Sequence, residues 1–226
     1  MERENEEIRL NHPVEFMRLT LTYEGPLHAA SGGETRNAEK HTIRQRFHRE
    51  LRDAWQTHLA LRDSLGRQMS RIQSRVREME AGRRMPTVPK SVAFPIIQRV
   101  DFNFVPLVCR DLYGICELDI LFLRREPAGG IVNQAGDIDN RIKVLFDALR
   151  VPQNDNEIPS TITPDFGEDP FYCLLEDDKL ITSFRLESDQ LFGEREQSDA
   201  WVKLVIRATV KVQRLIPENV GLGDTI

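Results

Sequence analysis

The sequence lacks any long apolar run. No stretch approaches the roughly 18 consecutive apolar residues that can span a bilayer, so we expect no membrane insertion. The first ten residues, MERENEEIRL, are mostly charged or polar and lack the apolar core of a secretory signal. From these two absences we expect a cytoplasmic protein.

Cysteine is also scarce. The chain of 226 residues contains three, Cys109, Cys116 and Cys173. They show no Cys-X-X-Cys spacing, which argues against the common zinc and redox motifs. Each lies near an apolar stretch, where a free cysteine behaves as a small hydrophobic residue. We therefore expect three reduced core residues and no catalytic thiol.

A basic excess is missing from the chain as a whole, whose formal net charge is −5. Proteins that bind nucleic acids usually have a basic surface. The charge is unevenly distributed, however, because residues 36–90 contain 14 Lys and Arg against 6 Asp and Glu, a local charge of +8. The remainder of the chain therefore carries −13, and a polyanionic partner is compatible with the basic segment.

Residues 36–90 are predicted to form a basic helical insertion. Apolar residues recur every four positions over about residues 41–59, which predicts an amphipathic helix. A second apolar stripe from Leu61 to Met79 predicts a further helix, which Pro86 prevents from continuing. The two form a helical hairpin or one long helix with a break. The outward faces are expected to carry His41, His48, Arg52, Arg67, Arg71, Arg75 and Arg77.

The basic face of this insertion has more than one interpretation. Arg67, Arg71, Arg75 and Arg77 could contact DNA phosphates, or they could form an ordinary solvated surface. The apolar stripe could also be an interface with a second copy or another partner. The sequence alone leaves these alternatives open.

Alternating apolar and polar residues predict five strands, at Phe16–Tyr23, Val100–Val108, Ile115–Arg124, Leu180–Leu186 and Trp201–Val212. A short turn separates the second strand from the third, which favours a β-hairpin. Residues 151–170 are rich in Pro, Asn, Asp and Gly and predict a long irregular loop. We expect one domain over residues 1–226, of the α/β class and α+β type, in which a small mixed sheet packs against helices.

An acidic segment, Gly136-Asp137-Ile138-Asp139-Asn140, precedes a predicted helix over residues 140–150. On an extended backbone, carboxylates two positions apart point to the same side, where they suit a hard cation such as Mg²⁺. Asp139 or Asn140 is expected to cap the helix. Lys143 lies one turn further on, within reach of a phosphate bound at the helix start. The buried stripe is expected to comprise Ile142, Leu145, Phe146 and Leu149.

A second acidic pair, Asp177-Asp178, lies far along the chain and could converge on the same place. Together these residues resemble the signature of the RusA family of Holliday-junction resolvases. The residues that carry the resemblance are Asp137-Ile138-Asp139-Asn140, Lys143, Asp147-Ala148-Leu149, Glu176-Asp177-Asp178 and Ile181.

The resemblance implies a small mixed fold that dimerises, dependence on Mg²⁺ or Mn²⁺, and paired incisions across branched DNA during recombination and repair. It therefore implies a nucleoid-associated enzyme. Carried over by position, Asp137, Asp139 and Asp178 are the metal ligands and Lys143 is the catalytic lysine. Asn140, Asp147 and Asp177 take supporting roles, in which Asp147 is expected to pair with Lys143 across one helical turn.

The resemblance is confined mainly to residues 136–181. The basic insertion and the long loop over residues 151–170 depart from the compact pattern of the family and put the substrate preference in doubt. Two alternatives therefore remain: a nuclease that acts on forks or flaps, and a catalytically inactive protein that binds DNA or another partner. Histidine catalysis is disfavoured, because none of the five histidines is predicted to lie near the acidic residues.

Overall fold

The computed structural model describes residues 17–29, 33–62, 94–125, 135–193, 200–222 and 224–225. For residues 34, 135–137 and 224–225 the description is limited to the backbone. Most of the second predicted helix lies outside these ranges, and so do Arg67, Arg71, Arg75 and Arg77.

Within the described residues, eight strands form two separate sheets. The strands are β1 (Arg18–Pro26), β2 (Ile97–Arg99), β3 (Phe102–Val108), β4 (Gly114–Arg124), β5 (Phe171–Leu175), β6 (Ile181–Gln190), β7 (Trp201–Val212) and β8 (Asp224–Thr225). The first sheet has the order β1-β7-β4-β6, with β8 beside β7, and the second has the order β2-β3-β5. Each sheet mixes parallel and antiparallel pairs, and the α+β class is confirmed. The prediction of a single sheet is wrong, because the strands form two.

The β-hairpin predicted from β3 and β4 is wrong. Strand β3 pairs with β2 and β5 in the second sheet, whereas β4 lies between β7 and β6 in the first. A turn at Arg110–Leu112 carries the chain between the sheets. It is closed by a 2.9 Å hydrogen bond from Gly114 N to Cys109 O, and a Cβ at Gly114 would lie only 3.2 Å from the Cys109 backbone. Alternation locates strands but does not identify their partners.

Two α-helices pack on the first sheet, α1 (Glu34–Thr57) and α2 (Ala135–Leu149). Helix α1 begins earlier than the predicted residue 41 and ends where His58 adopts an extended conformation. Its predicted apolar stripe is confirmed by exposures of 0–2% for Ile43, Phe47, Leu51 and Trp55. Burial of each such side chain contributes about 1.5–3 kcal/mol. No helix within the described ranges is long and apolar enough to cross a membrane.

The placement of His41 and His48 on a solvated face is wrong, because both are buried. The second sheet covers this side of α1. The His41 ring contacts Phe102 and Phe171, with centroids 5.2 and 5.8 Å away. His48 Nδ1 accepts a 2.8 Å hydrogen bond from Tyr172 N, so the proton of the neutral ring lies on Nε2, which donates to Gly167 O at 3.0 Å.

Burial of His41 predicts a loss of stability in mild acid. Burial, with the nearby charge of Arg44, lowers the pKa of His41 from 6.5 to about 4. Above pH 6.5 the ring is neutral in both the folded and the unfolded chain. As the pH falls towards 4, the unfolded chain takes up a proton that the folded chain rejects, so folding loses about 3 kcal/mol across this window.

Urea denaturation at several pH values between 7.5 and 4 measures this loss. His41→Phe keeps the aromatic contacts and removes the titrating group, so its free energy of unfolding should fall less steeply with acid than that of the wild type. Equal pH slopes for the two proteins would show that His41 does not contribute.

Candidate functional site

The acidic segment lies inside α2 and not on an extended segment before it. The helix begins at Ala135, so neither Asp139 nor Asn140 is its N-cap, which corrects the prediction. Positions two apart on a helix do not share a face, so the argument that placed Asp137 and Asp139 on one side does not hold for this backbone. The helix starts early because Ile138, four residues before Ile142, extends the buried apolar stripe towards the N-terminus and is only 5% exposed.

The predicted buried stripe of α2 is confirmed. Ile142, Leu145 and Leu149 are 5%, 0% and 1% exposed. The half-buried Phe146 contacts Phe184 of β6, with ring centroids 5.4 Å apart. These contacts fix α2 on the first sheet and leave Asp139 and Lys143 on its solvent side.

Asp139 and Lys143 form an exposed ion pair. Lys143 Nζ lies 2.8 Å from Asp139 Oδ2, and the two side chains are 62% and 66% exposed. A solvated pair of this kind contributes at most about 1 kcal/mol. Lys143 can therefore exchange Asp139 for another anion, such as a phosphate, at little energetic cost.

The predicted pairing of Asp147 with Lys143 is wrong. Asp147 Oδ2 lies 2.7 Å from Lys40 Nζ of α1, and Asp147 Oδ1 lies 2.5 Å from the Arg150 guanidinium. Arg150, whose side chain is 5% exposed, also binds Glu157 at 3.0 Å. Asp147 is thus part of a largely buried ion network at the C-terminal end of α2. Its partners Lys40 and Arg150 are much less exposed than Lys143, the partner of Asp139. Solvent can therefore compensate less for the loss of the Asp147 charge.

Arg44 of α1 completes the C-terminal end of α2. Its fully buried guanidinium donates hydrogen bonds to the carbonyl oxygens of Asp147 at 2.9 Å and Arg150 at 3.3 Å. Carbonyls at a helix C-terminus lack partners within the helix and carry partial negative charge, which a cation stabilises. Neither Lys40 nor Arg44 was predicted from the sequence. The one available signal was Arg44, a charged residue between Ile43 and Phe47 of the apolar stripe.

The second acidic pair occupies the tight turn that follows β5. Asp177 accepts a 3.0 Å hydrogen bond from Lys179 N and forms an ion pair with Arg110. Partial burial opposes ionisation of Asp177, but hydrogen bonds from Lys179 N and Asp178, with the charges of Lys179 and Arg110, lower its pKa overall. Partial burial, the hydrogen bond to Asp177 and the charges of Asp177 and Asp147 raise the pKa of Asp178, against the opposing effect of Arg150. Ionisation is therefore opposed more strongly at Asp178 than at Asp177.

The structure brings some of the predicted residues together and separates others. A 2.9 Å hydrogen bond from Val151 N to Leu175 O places the turn that carries Asp178 beside the C-terminal end of α2, where the charges of Asp147 and Arg150 act on its carboxyl. Asp139 lies eight residues before Asp147, about 12 Å along the helix axis. Among the side chains that the structure describes, which exclude Asp137, no three His, Cys, Asp or Glu residues come close enough together to hold a metal ion. The acidic residues thus occupy both ends of α2.

The cysteines are buried, as predicted. Burial raises the pKa of Cys109, Cys116 and Cys173 to about 12 in each case. A thiol is a nucleophile only as the thiolate, so these groups are inert near neutral pH. The chemistry available at α2 is that of carboxylates and cationic side chains.

Comparisons of the chain with protein-family models, with curated proteins and with solved structures found no match. The chemical capacity of the site is therefore inferred from its own side chains. The paired carboxyl groups of Asp177 and Asp178 can bind a hard divalent cation, and the exposed Lys143 of α2 can bind an anion.

Proposed function

We propose that this chain is a metal-dependent, structure-selective DNA endonuclease of the RusA type that cleaves four-way junctions. The observation that carries the proposal is the pairing of Asp178 with Asp177, in which partial burial, the hydrogen bond to Asp177 and the charges of Asp177 and Asp147 raise the pKa of Asp178. Neighbouring carboxylates repel one another when ionised, and a bound divalent cation relieves that repulsion. The sequence pattern around Asp139 and Lys143 indicates the same chemistry.

The donor atoms of the site fit Mg²⁺ or Mn²⁺. Mg²⁺ takes oxygen ligands, keeps several water molecules and needs only one or two protein carboxylates. In this proposal the metal ligands are Asp137, Asp139 and Asp178. Asp178 and Asp139 lie at opposite ends of α2, so Asp139 joins the same ion only if the start of α2 or the turn after β5 moves.

The chain's own residues take separate roles. Lys143, which the solvated Asp139 holds weakly, binds the phosphate at the cleaved bond. Asp177 fixes the turn that carries Asp178 through its bonds with Lys179 N and Arg110. Asp147 fixes the adjacent end of α2. A bound divalent ion supplies activation of water and stabilisation of charge on the phosphate.

Asn140 and the second subunit complete the proposal. Asn140 is half-buried beside Asp139 and helps to orient the start of α2. A four-way junction is cut on two opposed strands, so a homodimer supplies one site for each strand. The proposed partners are thus branched DNA and a second copy of this chain.

Incubation of the purified chain with labelled DNA substrates tests the proposal. We expect paired nicks in a four-way junction with Mg²⁺ or Mn²⁺ and none with EDTA, on a panel that also contains forks, flaps and linear duplex. Cleavage of forks or flaps alone would keep the nuclease and change its substrate. Binding without cleavage would favour the inactive DNA-binding alternative. The proposal would be contradicted if the chain neither bound nor cleaved any of the substrates.

A further inference from the structure

Strand β6 forms an open edge of the first sheet. Within the described ranges it pairs only with β4, and none of its 10 residues is buried. The opposite edge strand, β1, is partly covered, because the Glu50 carboxylate accepts hydrogen bonds from Thr22 N at 2.8 Å and Thr22 Oγ1 at 2.6 Å. An unprotected edge presents a row of backbone donors and acceptors to which another strand can pair.

The charges of β6 are complementary to those of a second, antiparallel copy of the same strand. Arg185 and Glu187 lie on one face, are 75% and 66% exposed, and approach each other only to 3.8 Å within the chain. A two-fold axis through Leu186 places Arg185 opposite the partner's Glu187, and Glu187 opposite the partner's Arg185. Cross-strand pairs of opposite charge stabilise a sheet.

Neighbouring registers put like charges on the axis. A shift by two residues in one direction places Arg185 opposite the partner's Arg185. A shift in the other direction places Glu187 opposite the partner's Glu187, although Arg185 then lies opposite the partner's Asp189. A slip by one residue exchanges the two faces of the strand. The pattern of charges therefore selects the register that is centred on Leu186.

The other face of β6 is apolar at the same place. In this register Leu186 lies against the partner's Leu186 on the axis, with Phe184 beside it. Phe184 is 51% exposed in the single chain, although its ring contacts Phe146 of α2. Pairing of two β6 strands would cover this exposed aromatic surface and so add hydrophobic burial to the backbone hydrogen bonds.

We propose that β6 is the association surface of a symmetric homodimer, in which the two first sheets join through antiparallel pairing of β6 centred on Leu186. The sequence alone leaves the position of such an interface open. Because α2 packs beneath β6 through Phe146, the two α2 helices then flank the axis. The assignment rests on β6 alone and not on the proposed nuclease activity, so either can fail without the other.

A charge-swap experiment tests the interface. Arg185→Glu and Glu187→Arg each place like charges opposite one another at two symmetric positions, so each should weaken dimerisation by about 10- to 100-fold. A mixture of the two variants forms opposite-charge pairs at both positions and should recover the dimer mass, as should the double variant R185E/E187R. Size-exclusion chromatography with light scattering measures the mass, and circular dichroism checks the folding of each variant.

Lys203→Glu is the matched control, because Lys203 lies on the same face of the sheet but on β7, away from the edge. It should dimerise like the wild type. A monomeric wild type, single variants that dimerise normally, or a mixture that stays monomeric would each overturn the proposal.

Oxidative cross-linking provides a measurement that does not depend on charge. Leu186→Cys places two thiols opposite each other across the axis, at a separation that permits a disulfide. Under mild oxidation this variant should form a covalent dimer, whereas Leu121→Cys, one strand further in on β4, should not. Absence of cross-linking in L186C would overturn the proposed register.

Discussion

Asp178→Asn is expected to lower the rate of metal-supported junction cleavage by about two to three orders of magnitude, because it removes a proposed ligand of the ion that would stabilise charge on the phosphate. DNA binding should be retained, since the substitution removes a negative charge and leaves the basic residues in place. Cleavage rates under single-turnover conditions, with affinity measured separately by gel shift, distinguish the two effects.

Asp119→Asn is the matched control for this substitution. Asp119 is exposed on β4, on the face of the first sheet opposite α2, so its loss should leave the cleavage rate unchanged. An Asp178→Asn variant that cleaves as fast as the control would exclude Asp178 from the metal site. A loss of binding as large as the loss of cleavage would point to misfolding or a DNA-contact role.

The largest effect on stability is expected for Asp147→Ala, at about 3 kcal/mol in the free energy of unfolding. The substitution removes the carboxylate that forms ion pairs with both Lys40 and the 5%-exposed Arg150. Asp139→Ala removes a carboxylate of the same helix that also forms an ion pair with a basic residue, but there both side chains are more than 60% exposed. Its loss should cost at most about 1 kcal/mol.

Urea denaturation, for the free energy of unfolding, and thermal denaturation, for Tm, compare the two variants on one helix. A chain of this size loses about 2–4 °C in Tm for each kcal/mol, so Asp147→Ala should melt about 10 °C below the wild type and Asp139→Ala within a few degrees of it. Equal destabilisation by the two substitutions would contradict the burial of the Asp147 network.

The helices could be predicted from the sequence because their stabilising interactions are local and periodic. The fourfold spacing of Ile43, Phe47, Leu51 and Trp55 locates α1, and the stripe through Leu145 locates α2. The first residues of α2 were missed because Gly and Asp near a helix start are also common in caps and loops, and those of α1 because residues 34–40 are almost all polar. In α2, burial of Ile138 extends the helix through them.

The errors arose where long-range packing decides the outcome. The parallel pairing of β3 with β5 joins segments that are far apart in sequence, so alternation alone favoured the neighbouring β4. His41 and His48 lie on a helix face that is polar by sequence but covered by the second sheet.

The candidate site was predictable in composition but not in geometry. The acidic residues and Lys143 could be identified from their spacing, whereas Asp147 takes its partner Lys40 from another helix, more than 100 residues earlier in the sequence. No local pattern reveals such a contact. The interpretation of Asp137 and Asp139 depended on an extended backbone, which the structure replaces with helix.

A crystal structure with Mn²⁺, located by its anomalous scattering, tests the central claim most directly. The account predicts an ion at about 2.1 Å from a carboxylate oxygen of Asp178, with Asp137 or Asp139 as a further ligand. An Asp178 carboxyl that remains hydrogen-bonded to Asp177 at saturating Mn²⁺, with no ion beside it, would contradict the account.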